Sequence, residues 1–199
     1  MAETDRDLGV AAAAIEAMAS TKKLSEFKSF WESFLFRLER AWERNQRRVQ
    51  TVPGRDAKSW LSTNAKLRRS DPLLNYLKQA RNAEVHAISS SIESELIVSV
   101  ADRFGRPFSM KDMSLSIEGA TFVIDLTSTD IGLEWYGDVA LSEPKLQCVI
   151  NRGKRYDPPT RHLGNAIQNH HPVAISILGL NFYKGTYAAL GALLNHKKP

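Results

Sequence analysis

The feature that most limits what this chain can become is the run from Phe27 to Trp42. Phe27, Phe30, Trp31, Phe34, Leu35, Leu38, Ala41 and Trp42 recur at steps of three and four residues, the spacing that puts side chains on one face of an α-helix. Lys28, Glu32, Glu39, Glu43 and Arg47 fall on the opposite side. Such a stripe needs other helices against it, because an amphipathic helix cannot cover its own apolar face. The pattern predicts an amphipathic helix of about seven turns, ending near Gln50 ahead of Pro53 and Gly54.

The flanking segments offer the partners. Residues 8–19 (LGVAAAAIEAMA) have high helix propensity and predict a leading helix, short or frayed, with Ser20, Thr21 and Ser25 as candidate caps for the long helix that follows. A further helix is expected over Asp56 to Arg69, holding Trp60, Leu61 and Leu67. Ser70-Asp71-Pro72 reads as a helix start, with Ser70 or Asp71 as cap and Pro72 in the first turn. The third helix of the bundle then runs to about Ile88, with Leu73, Leu74, Leu77 and Ala80 facing inward.

Beyond Ile88 the period of the apolar residues changes. Glu95 to Val100, Met113 to Glu118, Thr121 to Leu126, Leu133 to Leu141 and Lys145 to Ile150 are short and enriched in β-branched residues, several alternate polar with apolar, and Glu118-Gly119 marks a hairpin. Residues 152–171 read as a polar, proline-containing connection, and Pro172 opens a last helix carrying Val173, Ile177, Leu180, Tyr187, Leu190 and Leu194. The expected class is α+β and mainly α. An antiparallel helix bundle would comprise residues 1–94 and 172–199, with a small antiparallel β-sheet (95–151) and a connecting loop (152–171) inserted before the last helix, all in one composite domain.

Composition narrows the class. Hydrophobic residues at 43% and charged residues at 25% describe a globular chain rather than a disordered one. The single cysteine, Cys148, leaves no internal disulfide and no cysteine zinc site. The acidic start MAETDRD and the short run Val10 to Ala14 do not resemble an export signal, and no segment approaches the roughly 20 apolar residues of a membrane span. A soluble, cytoplasmic protein is expected. The net charge of +5 permits contact with a polyanion without requiring it.

The segment with the most chemical content is DPLLNYLKQARNAEVH, residues 71–86. Asn82 and His86 are four apart, so on a helix they stack about 40° from one another and the amide can orient the imidazole ring. Arg81 precedes His86 by five, about 140° around an ideal helix. The two converge only through the arginine's length, a distorted helix end or a second copy of the helix. A dimer with two antiparallel motif helices would build a composite site from both chains. These residue types suit cleavage of RNA by its own 2′-hydroxyl. Histidine exchanges a proton near neutral pH, and arginine grips phosphate oxygens with a planar fork.

Arg81-Asn82-Ala83-Glu84-Val85-His86 resembles the R-x4–6-H signature of HEPN domains, including the polar residue after the arginine and a place late in the third helix of a bundle. A stretch like Pro158-Pro159-Thr160-Arg161-His162-Leu163-Gly164, placed between a β segment and the last helix, is also similar to bacterial proteins of that kind. The resemblance covers roughly residues 24–195. It implies a metal-independent endoribonuclease, a hydrolase acting as a homodimer on RNA, with Arg81 and His86 catalytic, Asn82 and Glu84 supporting, and no cofactor. It further implies a toxin or defence effector, with an antitoxin or another protein as partner. The alternative is a catalytically inactive HEPN-like module that binds nucleotide, RNA or protein.

Other residues carry weaker expectations. Arg44, Arg47 and Arg48, with Lys78, are candidate contacts to an RNA backbone, although a charge run at a helix end is usually solvated. His162, His170 and His171 share one loop, but companion carboxylates are not clustered there, so solvated histidines are expected and a metal is not. Asp71 reads as a cap alone.

Overall fold

The computed structural model describes residues 2–51, 55–85, 90–94, 96–102, 113–118, 121–126 and 135–195. Among them are five helices: α1 Ala2–Ser20, α2 Leu24–Thr51, α3 Arg55–Ser70, α4 Pro72–Val85 and α5 Pro172–Asn195. The chain divides into two compact units, Met1–Glu93 with Pro144–Pro199, and Ser94–Glu143.

The first unit is helical. The α2 stripe lies where its periodicity put it, with Phe27, Trp31, Phe34, Leu35, Leu38, Ala41 and Trp42 buried. Leu73, Leu74, Leu77 and Ala80 of α4 and Ile175, Leu180, Tyr183, Tyr187 and Leu190 of α5 complete the same core. Gly179 lets α5 pass close to α4, since a Cβ there would stand 2.5 Å from Leu77 Cδ1. The leading helix is longer than expected. It begins at Ala2 and packs along α2 through Leu8, Ala11, Ile15 and Met18. Asp7, only 1% exposed, is clamped by Arg37, Arg40 and Arg44 of α2.

The helix α3 is tied in by polar bonds. Trp60 Nε1 donates to the Thr186 carbonyl of α5 at 3.0 Å. Arg68 lies over the Trp42 ring at 4.4 Å, donates to Tyr183 Oη at 2.8 Å and pairs with Glu39.

Small antiparallel sheets precede the last helix, but they do not form one sheet among the described residues. Each is a pair: β1 Ile92–Glu93 with β6 Lys145–Leu146, β2 Leu96–Asp102 with β5 Trp135–Leu141, β3 Met113–Glu118 with β4 Thr121–Leu126, β7 Val149–Asn151 with β8 Lys154–Tyr156, and β9 Arg161–His162 with β10 Asn165–Ala166. The β3–β4 register pairs Glu118 with Thr121, so the chain reverses where Glu118-Gly119 predicted. Only β2 to β5 belong to the second unit, which closes at Glu143. Strands β6 and β7, expected within the insert, belong with the helices.

Residues 152–171 are likewise not a plain connection. Two tight hairpins lie on this side of the chain, with turns at Arg152-Gly153 (φ 51° and 73°) and Leu163-Gly164 (φ 48° and 85°). Positive φ at both central positions is what a two-residue hairpin of this hand requires. Arg-Gly and Leu-Gly are weak sequence signals for it, since the first residue of each pair pays a steric cost that Asn or Asp largely avoids.

The second of these hairpins is held by the start of α4. Asp71 Oδ1 accepts the Leu74 N–H at 3.0 Å, the bond of an N-cap. The same carboxylate accepts from His162 Nδ1 at 3.0 Å and from the Leu163 N–H at 2.7 Å. Asp71 is therefore more than a cap, and His162 is not a solvated loop histidine, its side chain being 12% exposed. Asp71→Ala is expected to cost about 3 kcal/mol, because it removes the cap and leaves two part-buried donors unpaired. That corresponds to a melting temperature roughly 6–12 °C lower for a chain of this size, read by circular dichroism. An unchanged melt would mean that the hairpin is held by its own turn.

Candidate nucleic-acid interface

Arg81 and Asn82 lie near the C-terminal end of α4. Arg81 Nη1 donates to Asn82 Oδ1 at 3.3 Å. Asn82, expected to orient His86, accepts from the arginine before it through its oxygen. His86 lies outside the described residues, so the Asn82–His86 and Arg81–His86 geometries rest on the sequence. Glu84 accepts from the Ser91 N–H at 2.8 Å and from the Ser91 hydroxyl, and that hydroxyl accepts from Trp31 Nε1 at 2.8 Å. Its described bonds thus tie the end of α4 to residue 91 and to α2.

Arg81 faces two hollows. One, about 770 Å³, is lined by Arg40, Arg44, Arg47 and Arg48 of α2 together with Arg81, and by Glu3 and Glu43. The sequence candidates Arg44, Arg47, Arg48 and Arg81 therefore meet in one place, joined by Arg40. Much of this charge is already compensated. Arg40 and Arg44 pair with Asp7, Arg44 also with Glu3, and Arg47 with Glu43 at 3.7 Å. The other hollow, about 300 Å³, places Arg81 beside Glu32 and Glu84. Burial, and secondarily the nearby Glu84 charge, raise the Glu32 pKa above the ordinary carboxylate value. Two carboxylates make that side unwelcoming to a phosphate, so an anion would meet Arg81 from the α2 arginine side.

Arg81 itself is poorly satisfied. Among the described residues it makes no ion pair, and its Nε is buried without a hydrogen-bond partner. A buried guanidinium nitrogen without an acceptor is costly.

Lys78, the remaining sequence candidate, is not part of this group. It lines a separate cleft of about 520 Å³ with Gln79, Asn82, Asn151, Arg152, Lys154 and Tyr156. Sequence reasoning missed the hairpin side of this cleft, although the cluster Arg152-Gly153-Lys154-Arg155-Tyr156 interleaves cations with an aromatic ring. Among the described residues no group of three or more histidine, cysteine, aspartate or glutamate side chains could hold a metal ion. No described helix is long and apolar enough to cross a membrane. Compared with protein-family models, with curated proteins and with solved structures, the chain gives no match.

Proposed function

We propose that this chain is a metal-independent endoribonuclease of the HEPN type, with Arg81 and His86 as its catalytic residues. The observation that carries the reading is the guanidinium of Arg81, half-buried near the end of α4, which makes no ion pair among the described residues and lines a hollow with the arginines of α2. A scissile phosphate would give that guanidinium the oxygens it lacks. His86, five residues on, takes the proton from the 2′-hydroxyl. The freed oxygen attacks phosphorus, the bond from phosphorus to the 5′-oxygen breaks, and a proton returns to the leaving oxygen. The products are a 2′,3′-cyclic phosphate and a 5′-hydroxyl. Arg81 stabilises the charge gained on the phosphoryl oxygens in the transition state. DNA, lacking the 2′-hydroxyl, is not cut by this route.

The angular gap that the five-residue spacing of Arg81 and His86 would leave on an ideal helix supports a homodimer in which two copies of α4 build composite sites. Light scattering at micromolar concentration is expected to give twice the mass of one chain, and a monomer at that concentration removes the composite site. The wider role follows the same reading: a toxin or defence effector whose expression harms the host cell, restrained by an antitoxin or another protein, with His86→Ala relieving the harm.

One observation favours a second reading, the catalytically inactive HEPN-like binding module. The Asn82 oxygen accepts from Arg81, so part of that guanidinium is already engaged within α4. RNA cleavage in excess chelator by the parent and by His86→Ala separates the two readings.

A further inference from the structure

Two groups of cations line hollows of the helical unit. Those of α2 beside Arg81 are largely matched by Asp7, Glu3 and Glu43. Those of the cleft between α4 and the β7–β8 hairpin are not. Among the described residues, no carboxylate lies within ion-pair distance of Lys78, Arg152 or Lys154, whereas Arg155, one residue further on, is bound to Asp157 at 2.7 Å. Three uncompensated cations around one concave surface create a local positive potential that the formal charge of the chain does not reveal.

The cleft is also built rather than incidental. Asn151 Nδ2 donates to Gln79 Oε1 at 2.6 Å, fixing the hairpin to α4. Tyr76 Oη donates to the Gln147 carbonyl at 2.7 Å, just ahead of β7. The Arg152-Gly153 turn, with φ of 51° and 73°, presents Arg152 at its tip. The Lys154 ammonium stands 5.4 Å from the centre of the Tyr156 ring, so a charge and an aromatic face arrive together. Asn82 lines the same cleft and bonds to Arg81, so the cleft adjoins the proposed catalytic arginine through neighbouring residues.

We propose that this cleft is a subsite for single-stranded RNA, holding a phosphate on Lys78, Arg152 and Lys154 and a base against Tyr156, beside the bond that Arg81 and His86 cut. Cations that track the backbone, combined with an aromatic ring for a base, are the recurring means of gripping a single strand. The inference rests on the ribonuclease reading for what the strand is doing there, but its test does not depend on cleavage.

The test uses the full chain and a fluorescein-labelled 2′-O-methyl single-stranded RNA, which has no free 2′-hydroxyl and stays intact. Fluorescence anisotropy gives the affinity across a salt series. Each phosphate contact on a single strand contributes about 0.7 to the slope of log affinity against log salt. Arg152→Ala with Lys154→Ala is expected to lower that slope by about 1.4 and to weaken binding roughly twentyfold near 0.1 M salt. Lys78→Ala, on the opposite wall, is expected to lower the slope by about 0.7. Arg155→Ala removes a cation already held by Asp157 and is expected to leave the slope as it was. Thermal melts of the four proteins accompany the titrations.

Parent-like binding by the double variant and by Lys78→Ala overturns the subsite, as does failure of the parent to bind. An equal loss with Arg155→Ala also overturns it, because the response then reflects net charge alone. The catalytic reading fails separately. If His86→Ala cuts RNA as fast as the parent while the slope changes appear as expected, the enzyme is lost and the RNA subsite stands.

Discussion

His86→Ala is expected to lower RNA cleavage by about a hundred- to ten-thousand-fold, the contribution of a positioned acid–base group. Within Arg81 to His86 histidine is the residue type suited to exchanging a proton at neutral pH, and the Glu84 carboxylate is bonded to Ser91. Arg81→Ala is expected to fall by about a hundred- to a thousand-fold, since the charge that grows on the phosphoryl oxygens loses its fixed partner. Arg81→Lys restores little, because an ammonium cannot offer two parallel donors. Asn82→Ala is expected to be milder and to act through the arginine, whose Nη1 it holds at 3.3 Å. Assays run in excess chelator on RNA, with DNA of the same sequence left intact. Melting curves accompany each variant. Parent-like cleavage by His86→Ala ends the enzyme reading. A melt far below the parent's would instead make His86 a packing residue.

The largest stability effect is expected at the Glu39–Arg68 pair. Arg68 belongs to α3, Glu39 and Trp42 to α2 and Tyr183 to α5, and the guanidinium touches all three partners. Its side chain is 5% exposed. Glu39→Ala leaves that charge buried with only a hydroxyl and two aromatic faces, and breaking one side of a buried pair costs about 3–5 kcal/mol. The melting temperature is expected to drop by roughly 6–20 °C. Glu39→Ala combined with Arg68→Met is expected to recover most of the loss, because the double variant buries no charge and a thioether side chain can fill the space beside Trp42 and Tyr183. Urea unfolding of the two single variants and the double variant measures the coupling. If Glu39→Ala melts with the parent, the aromatic contacts alone carry the charge.

Helix positions were legible where the apolar period was long and unbroken. The stripe of α2, the Asp71-Pro72 start of α4 and the Pro172 start of α5 all follow from local spacing and from the fixed φ of proline, which need no knowledge of distant residues. The longer strands β2 to β5 were also legible, because alternation and β-branching are local properties, whereas the short strands β1 and β8 to β10 were not. The pairing of those strands was not. Whether short strands join into one sheet depends on contacts between residues far apart in sequence, and here each pair stays separate among the described residues. The extent of α1 was set the same way. Its first turns gain a buried carboxylate, Asp7, that only the three arginines of a neighbouring helix make tolerable.

The candidate site divides along the same line. The residue types that RNA cleavage asks for, Arg81 and His86 with Asn82 between them, stand together within six consecutive residues of the sequence. Which cations are available to an anion is a tertiary property. Arg44 and Arg47 look like free charge in the sequence and are matched by carboxylates in the fold, one of them from another helix. Arg152 and Lys154 look like loop polarity and are brought to the wall of α4, without a carboxylate partner among the described residues, by a hairpin whose turn the sequence only weakly announces. A sequence lists charges one at a time. Their compensation depends on distances of a few ångströms between segments, and only the folded chain sets those distances.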